Sequence, residues 1–464
     1  MPRVTDEIAD FAATATLDRV DPGAVVVARR LLIESVATAA FGSQLGLGRR
    51  IATPLGWVAH GPAVPPSVAS VDVARVAFLN AAWTDCNDSA GGATKVALHP
   101  GKNILPAAFS AWLSSASSGS QLVLASAVGI EVAYRLAMAA GLGHKLRGHY
   151  SDGTVGAIGS AVAVAKVHDL DAREMANAIG HACLIAPVTI GGAAMYASEG
   201  RPLAMGAAAS AGVLAADMAR HRVKSLDRPV EGAAGFLQAL SDTGHPDVAI
   251  DKLGDLWHLA SSYLKPYVGC RLTHAERETV VTTLRDRQID PTDIVDVLLL
   301  HPSQDMPVIS HHAQPGDNAV AHSCSSSYLI ANAIRYGELG PEVLGEERMR
   351  DQDLHEFANR IRVEADPALT EAYARCAADP NARRRRPVKV TMTLNGGQAI
   401  TVDCDSARGD PDAGLAMTDL ELREKFVKFT SGALTRDDAY ALFELLENLD
   451  GEQPSRVVEL LGAR

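Results

Sequence analysis

"RRPVKVTMTLNGGQAITVDCD", residues 385–405, alternates apolar and polar positions on either side of Asn395-Gly396-Gly397. A period of two sends successive side chains to opposite faces of a strand. A Gly-containing connection between two such runs is a hairpin signal, so a pair of antiparallel strands is predicted here. Upstream, "DIVDVLLLHP" (293–302) and "LHEFANRIRVEAD" (354–366) carry similar short β-branched runs. An α+β segment is therefore expected over roughly 265–404. Outside it the periodicity is three to four, the spacing of helices.

The helical stretches carry their own punctuation. "PGAVVVARRLLIESVATAAFG" (22–42) opens on Pro22 and is expected to end on Gly42. In "GSQLVLASAVGIEVAYRLAMAAG" (119–141), Glu131 and Arg135 stand four apart and predict an intrahelical ion pair. Asp171 and Glu174 have capping-box spacing. Gly153, Gly156 and Gly159 suggest a phosphate loop, but no strand precedes them and no GKS or GKT follows. Close helix packing is the reading preferred. "DLELREKFVKFTSGALTRDDAYALFELLENLDG" (419–451) returns to amphipathic helices, so the α+β segment looks inserted between two helical parts.

Of 464 residues, 47% are apolar but only 5% aromatic, which favours a tightly packed body of small residues. A net charge of −12 argues against a nucleic-acid partner, though not against a small anion held by a few cations in a cleft. Cys86, Cys183, Cys270, Cys324, Cys376 and Cys404 show no CxxC spacing and read as reduced thiols of a cytoplasmic protein. The N-terminus lacks the apolar run of a signal peptide, and the longest apolar stretch contains Glu131 and Arg135, so no membrane span is expected. The run Arg383 to Arg386 reads as a solvated strand edge. His311, His312 and His322 read as surface residues without metal.

Five motifs in order along the chain resemble those of the MmgE/PrpD family of 2-methylcitrate dehydratases and cis-aconitate decarboxylases. A "DFDDT"-like run and His-Pro stand as "TDCNDS" (84–89) and "LHPGK" (98–102). "GIEVAYRL" (129–136), "HYSDGTVGAIGSAVAVAKVHDLD" (149–171), "KPYVGCRLTH" (265–274) and "CSSSY" (324–328), the last similar to "FSxxY", follow. The resemblance implies a mainly α homodimer. Each subunit would have a large all-helical domain built from both chain ends, 1–264 and 405–464, and a smaller α+β lid, 265–404. It implies an active site between the two that uses no metal or organic cofactor.

The implied chemistry passes through a carbanion-like centre beside a carboxylate, which needs proton-transfer groups and cations. Histidine suits the first task and the bidentate guanidinium the second. By position, Asp85, His99, His149, His274 and Tyr328 match the family's catalytic residues. Arg201, Arg271, Tyr150 and Lys265 match its substrate-binding side. His274 or His149 is the expected proton carrier. Asn87 and Asp88 are read as turn-capping residues. Two departures stand out. "KxLHxG" is here "RPLAMG", giving Arg201 and Ala204, and "HPS" is here "HPG", with Gly101. The expected activity is a cofactor-independent lyase, a dehydratase or decarboxylase, on a small polycarboxylate or related biosynthetic intermediate. The alternatives are an epimerase of an iminodisuccinate-like substrate and a non-catalytic dimer that binds a carboxylate.

Overall fold

The computed structural model describes residues 3–56, 73–188, 191–192, 197–378 and 385–462. Its strands all lie between Ile294 and Cys404, with helices before and after them, so the protein is mainly α with one small sheet.

Helix Pro22–Gln44 begins as its sequence dictates: Pro22 occupies the first turn and the Asp21 side chain accepts from the Ala24 amide at 3.0 Å. It does not stop at Gly42. A side chain there would collide with the Trp83 carbonyl, so the glycine serves close contact with helix Val73–Asp85 rather than termination. The Glu131–Arg135 pair forms at 2.7 Å and is fully buried. Arg135 reaches on to the Asp251 carbonyl, while Glu131 accepts from the Leu259 amide, so the pair also anchors a loop. Asp171 and Glu174 make a complete capping box on helix Ala172–Ile185. Helix Ser151–Val167 runs unbroken through the three glycines. A Cβ on Gly159 would lie 2.7 Å from that of Ala133, the signature of close packing against helix Gly119–Leu146.

The sheet has the order β2-β1-β3-β4, with β1 Ile294–His301, β2 Ile361–Ala365, β3 Val388–Leu394 and β4 Ala399–Cys404. β1 runs parallel to β2 and antiparallel to β3. β3 and β4 form the hairpin, closed by Leu394 N–H to Gln398 O at 2.8 Å, with Gly397 at φ 80°. Val388, Val390 and Met392 share the buried face. Arg386 is not a solvated edge residue: it pairs with buried Asp305, while Arg383 and Arg384 lie outside the described residues. His322 is not at the surface either. It is fully buried against His355, and burial pulls it down to about 4.

Two apolar clusters organise the packing. The larger gathers the long helices and takes Phe426, Phe429, Leu442 and Phe443 from helices Asp419–Thr430 and Arg436–Glu447. The smaller surrounds the sheet but also takes Leu47, Val76, Leu79 and Trp83 from early in the chain. Helix Val73–Asp85 therefore straddles both, with Ala77 and Ala81 on one side and Leu79 and Trp83 on the other. Its last residue, Asp85, stands at the seam. Among the described residues, two helices, Gly119–Leu146 and Arg201–Arg220, are long and apolar enough to cross a membrane. The apolar window of one, Gly119–Leu146, is 94% buried inside the protein, as a core helix of a soluble chain is.

Candidate active site

Asp85 and Asp88 bracket the turn that leaves helix Val73–Asp85. Asp88 has φ 50°, a left-handed conformation that costs a non-glycine residue about 1–2 kcal/mol and that aspartate tolerates better than most. Three cations converge on these two acids. Lys102 Nζ lies 2.7 Å from both Asp85 Oδ1 and Asp88 Oδ1. Arg201 donates through Nε to Asp85 Oδ2 at 2.8 Å and through Nη2 to the Asp85 carbonyl at 3.1 Å. Lys265 Nζ donates to Asp88 Oδ1 at 2.9 Å and to its carbonyl at 2.6 Å. All five are buried.

Taking such charges out of water costs several kcal/mol each, and only close opposite charge offsets it. The balance is visible at Asp88. Burial pushes its carboxyl up, yet Lys102, Lys265 and Arg201 together hold it well below the usual range. Lys102 is driven the other way: burial opposes its charge, and Asp85 and Asp88 outweigh that. Three cations thus stand against the two carboxylates they touch.

His99 borders this cluster. Its Nδ1 lies 2.8 Å from Asp152 Oδ2, and its backbone N–H donates to Asp152 Oδ1 at 2.6 Å. Asp152 thus fixes both the ring and the chain that carries it, and it leaves Nε2 as the unprotonated nitrogen of a neutral imidazole. Burial lowers His99 below the ordinary imidazole value; Asp152 pulls upward and Lys102 downward. Gly92 makes room for the ring, since a Cβ there would lie 2.9 Å from His99 Cδ2. Tyr150 precedes helix Ser151–Val167, and burial together with Asp152 keeps its phenol protonated despite Lys102.

Buried Glu34 and Lys425 hold the neighbouring loops in place. Glu34 accepts from the backbone N–H of Lys265 at 2.8 Å and of Gly91 at 2.5 Å. Lys425, from the C-terminal helices, donates to Glu34 and to the carbonyls of Ser89 and Lys265. Gly91 is required because a side chain there would strike the Tyr263 carbonyl. The two departures also acquire a setting. Arg201 opens helix Arg201–Arg220 and turns its guanidinium to Asp85, while Ala204 is half-buried one turn on. A Cβ at Gly101 would press on that of Ala90 at 3.0 Å, so the missing serine leaves a crowded position rather than a gap.

The structure therefore brings together Asp85, His99, Arg201 and Lys265, with Tyr150 beside them. It adds Asp88, Lys102 and Asp152, which the sequence reading had passed over or set aside as caps. Tyr328 is not among them. Its hydroxyl donates to the Val343 carbonyl at 2.7 Å and its ring packs on His322 and His355 in the smaller cluster. Arg271 is also committed elsewhere, to the carbonyls of Arg408 and Ala407 and to the face of Tyr263. His149 packs on His144 at 5.1 Å, with no hydrogen bond to the cluster among the described residues. His274 is fully buried, its Nε2 3.1 Å from the Gly269 carbonyl. Burial, then Arg277, Arg271 and Lys265, hold it well below the imidazole range.

A mainly helical body with a small mixed sheet thus carries, at its seam, a buried cluster of acids, cations and an Asp-oriented histidine. The chain matches the MmgE/PrpD N-terminal domain over residues 6–249 and the MmgE/PrpD C-terminal domain over residues 267–450, and it belongs to that family, which includes lyases such as dehydratases. Comparison with curated proteins gives no match.

Proposed function

We propose that the protein is a cofactor-independent lyase that eliminates water or carbon dioxide from a small polycarboxylate at the Asp85–Asp88 cluster. One observation carries this reading: Lys102, Arg201 and Lys265 converge on two carboxylates beside a histidine oriented by a buried aspartate. Lys102, Arg201 and Lys265 together offer a ligand carboxylate its cationic partners. Arg201 stays charged in any such setting and binds or stabilises, never shuttles, protons.

In the dehydratase form, His99 Nε2 takes the proton from the carbon next to a carboxylate. The electron pair left behind spreads into that carboxylate, where the lysines and Arg201 stabilise it. Hydroxide departs from the neighbouring carbon with a proton from a donor such as Tyr150, and an unsaturated acid results. This assigns the proton to His99 in place of His274 or His149, because His99 alone among the three is held by a carboxylate. A homodimer fits the exposed Leu142, Leu146, Leu184, Val188 and Leu226 on the helical body.

The test is a panel of di- and tricarboxylates incubated with the protein in deuterated buffer and followed by NMR. A lyase yields a new vinylic signal or loss of carbon dioxide. Deuterium at the α-carbon with inversion and nothing lost identifies an epimerase instead. Binding without either change leaves only the carboxylate-binding dimer.

A further inference from the structure

Two of the six cysteines, far apart in sequence, meet at the cation cluster. Cys324 is fully buried at the end of helix Ala319–Cys324. Its Sγ lies 3.3 Å from Arg201 Nη1 and 3.7 Å from Asp88 Oδ2. Cys270 sits in the loop that carries Lys265, and its backbone N–H donates to the Ser323 carbonyl at 2.8 Å. That bond sets the two chain segments side by side, the arrangement in which a disulfide, spanning about 4.4–6.8 Å between Cα atoms, closes with little backbone movement. The Cys270 and Cys324 side chains are neighbours there, and each shifts the other. In the run that resembles "FSxxY", Cys324 stands where the family motif has phenylalanine. A thiol thus occupies a position that an inert ring would otherwise fill.

We propose that Cys324 and Cys270 are a redox-sensitive thiol pair, in which a peroxide oxidises Cys324 and Cys270 then closes a disulfide at the cation cluster. The Cys324 thiolate attacks one peroxide oxygen; an S–O bond forms, the O–O bond breaks, and hydroxide leaves to become water. The Cys270 sulfur then attacks the sulfenyl sulfur; the S–S bond forms, the S–O bond breaks, and the departing hydroxide takes the Cys270 proton as a second water. Two thiols and one peroxide give one disulfide and two waters, the sulfurs losing the two electrons that the peroxide gains.

The roles are unequal. The neighbouring Cys270 thiol, against burial and with the help of Arg201, brings Cys324 down to about 6, so it is the thiolate that reacts first. Cys270 is raised by Cys324 and by burial, and it keeps its proton until the second step. Closure also turns an anionic partner of Arg201 into a neutral sulfur, which makes the cluster more positive.

The test uses the full chain, reduced, freed of reductant and titrated with hydrogen peroxide at pH 7, with peptide mapping under non-reducing conditions. The Cys270–Cys324 link is expected to form about tenfold faster than modification of half-exposed Cys376, since Cys324 lies 3.3 Å from Arg201 and has a second thiol beside it. Dithiothreitol should reverse it. In Cys270→Ser, dimedone should label Cys324, and in Cys324→Ser, Cys270 should stay unmodified. Modification of Cys376 while wild-type Cys270 and Cys324 remain free thiols overturns the proposal, as does preferential labelling of Cys270 in Cys324→Ser. The readout is a covalent mass change, so it stands or falls apart from the lyase reading.

Discussion

The cluster at Asp85 and Asp88 and the network beneath the sheet are both buried and charged, yet they are built to different rules. Under the sheet, His301 Nε2 lies 2.7 Å from Glu276 Oε2, and Ser326 donates to Glu276 Oε1 at 2.5 Å. Asp305 nearby is taken by Arg386. Each acid there has one cation or imidazole to itself, while His301 Nδ1 and Asp305 Oδ2 have no hydrogen-bond partner among the described residues. At the seam, three cations share two acids, an aspartate is held at positive φ, and a histidine is oriented with one nitrogen free. Burial of charge alone marks neither as a site. Three cations shared between two acids and strain in the backbone distinguish the seam, because a purely structural network gains nothing from either.

The largest effect that would break this distinction is at His99. Replacing it by Gln keeps hydrogen bonding but removes titration, so turnover should fall by roughly 10³-fold with little change in folding. An active His99→Gln protein, measured on whichever acid the NMR panel selects, would return the proton to His274 or His149. Because burial lowers His99, its base form should also persist below about pH 6.5, the ordinary imidazole value, and activity should hold into mildly acidic buffer. Next comes Lys102→Met, which removes one cation while Arg201 and Lys265 still hold the acids. Turnover should fall by roughly 10²-fold, the usual loss for one charge-stabilising donor. A variant that folds and binds the acid but turns over normally would show that Lys102 only neutralises Asp85 and Asp88.

The sheet network should respond in stability instead. Glu276→Gln breaks the buried pair with His301 and should cost about 3 kcal/mol in denaturant unfolding, with turnover within a few-fold of wild type. Burial lowers His301, but Glu276 outweighs it, so the folded value is raised. A raised imidazole contributes stability that is fully present below about pH 6.5 and is lost as pH rises through the folded value. Wild-type stability should decline over that range and Glu276→Gln should show a flatter profile. Equal slopes would mean that His301 is not charged in the fold.

Much of this architecture was legible from the chain. The 385–405 hairpin, the Glu131–Arg135 pair and the Asp171 capping box each follow from local spacing, and local spacing is what a sequence displays. Gly42 misled because a glycine that ends a helix and one that admits a neighbouring backbone look alike until the neighbour is known. Lys102 and Asp152 were missed for a related reason. Lys102 stood in the quoted "LHPGK" and Asp152 just before a glycine run, but their value comes from partners that fold back from distant segments. Asp88 read as a cap because short acids after a helix usually are caps; here Lys265, 177 residues away, decides otherwise. Arg201 was the exception, since a cation replacing a cation at a motif position signals its role without any partner.

Tyr328 provides the smallest expected effect and the sharpest check on motif transfer. Its place in "CSSSY" suggests a catalytic hydroxyl. In the fold that hydroxyl donates to the Val343 carbonyl at 2.7 Å, the ring lies 4.6 Å from His322 and 5.2 Å from His355, and the side chain is fully buried in the smaller apolar cluster. Burial raises the phenol, so it holds its proton and serves as a donor to that carbonyl. Tyr328→Phe removes one neutral buried hydrogen bond and leaves one carbonyl unsatisfied, a loss of about 1–2 kcal/mol in unfolding free energy. Turnover and the Michaelis constant should change by less than about threefold, because no atom of the cluster moves and no proton path is cut. A loss of turnover approaching that of His99→Gln, at unchanged stability, would mean that the hydroxyl leaves Val343 for the cleft during catalysis. The sheet network and the seam would then be parts of one moving site.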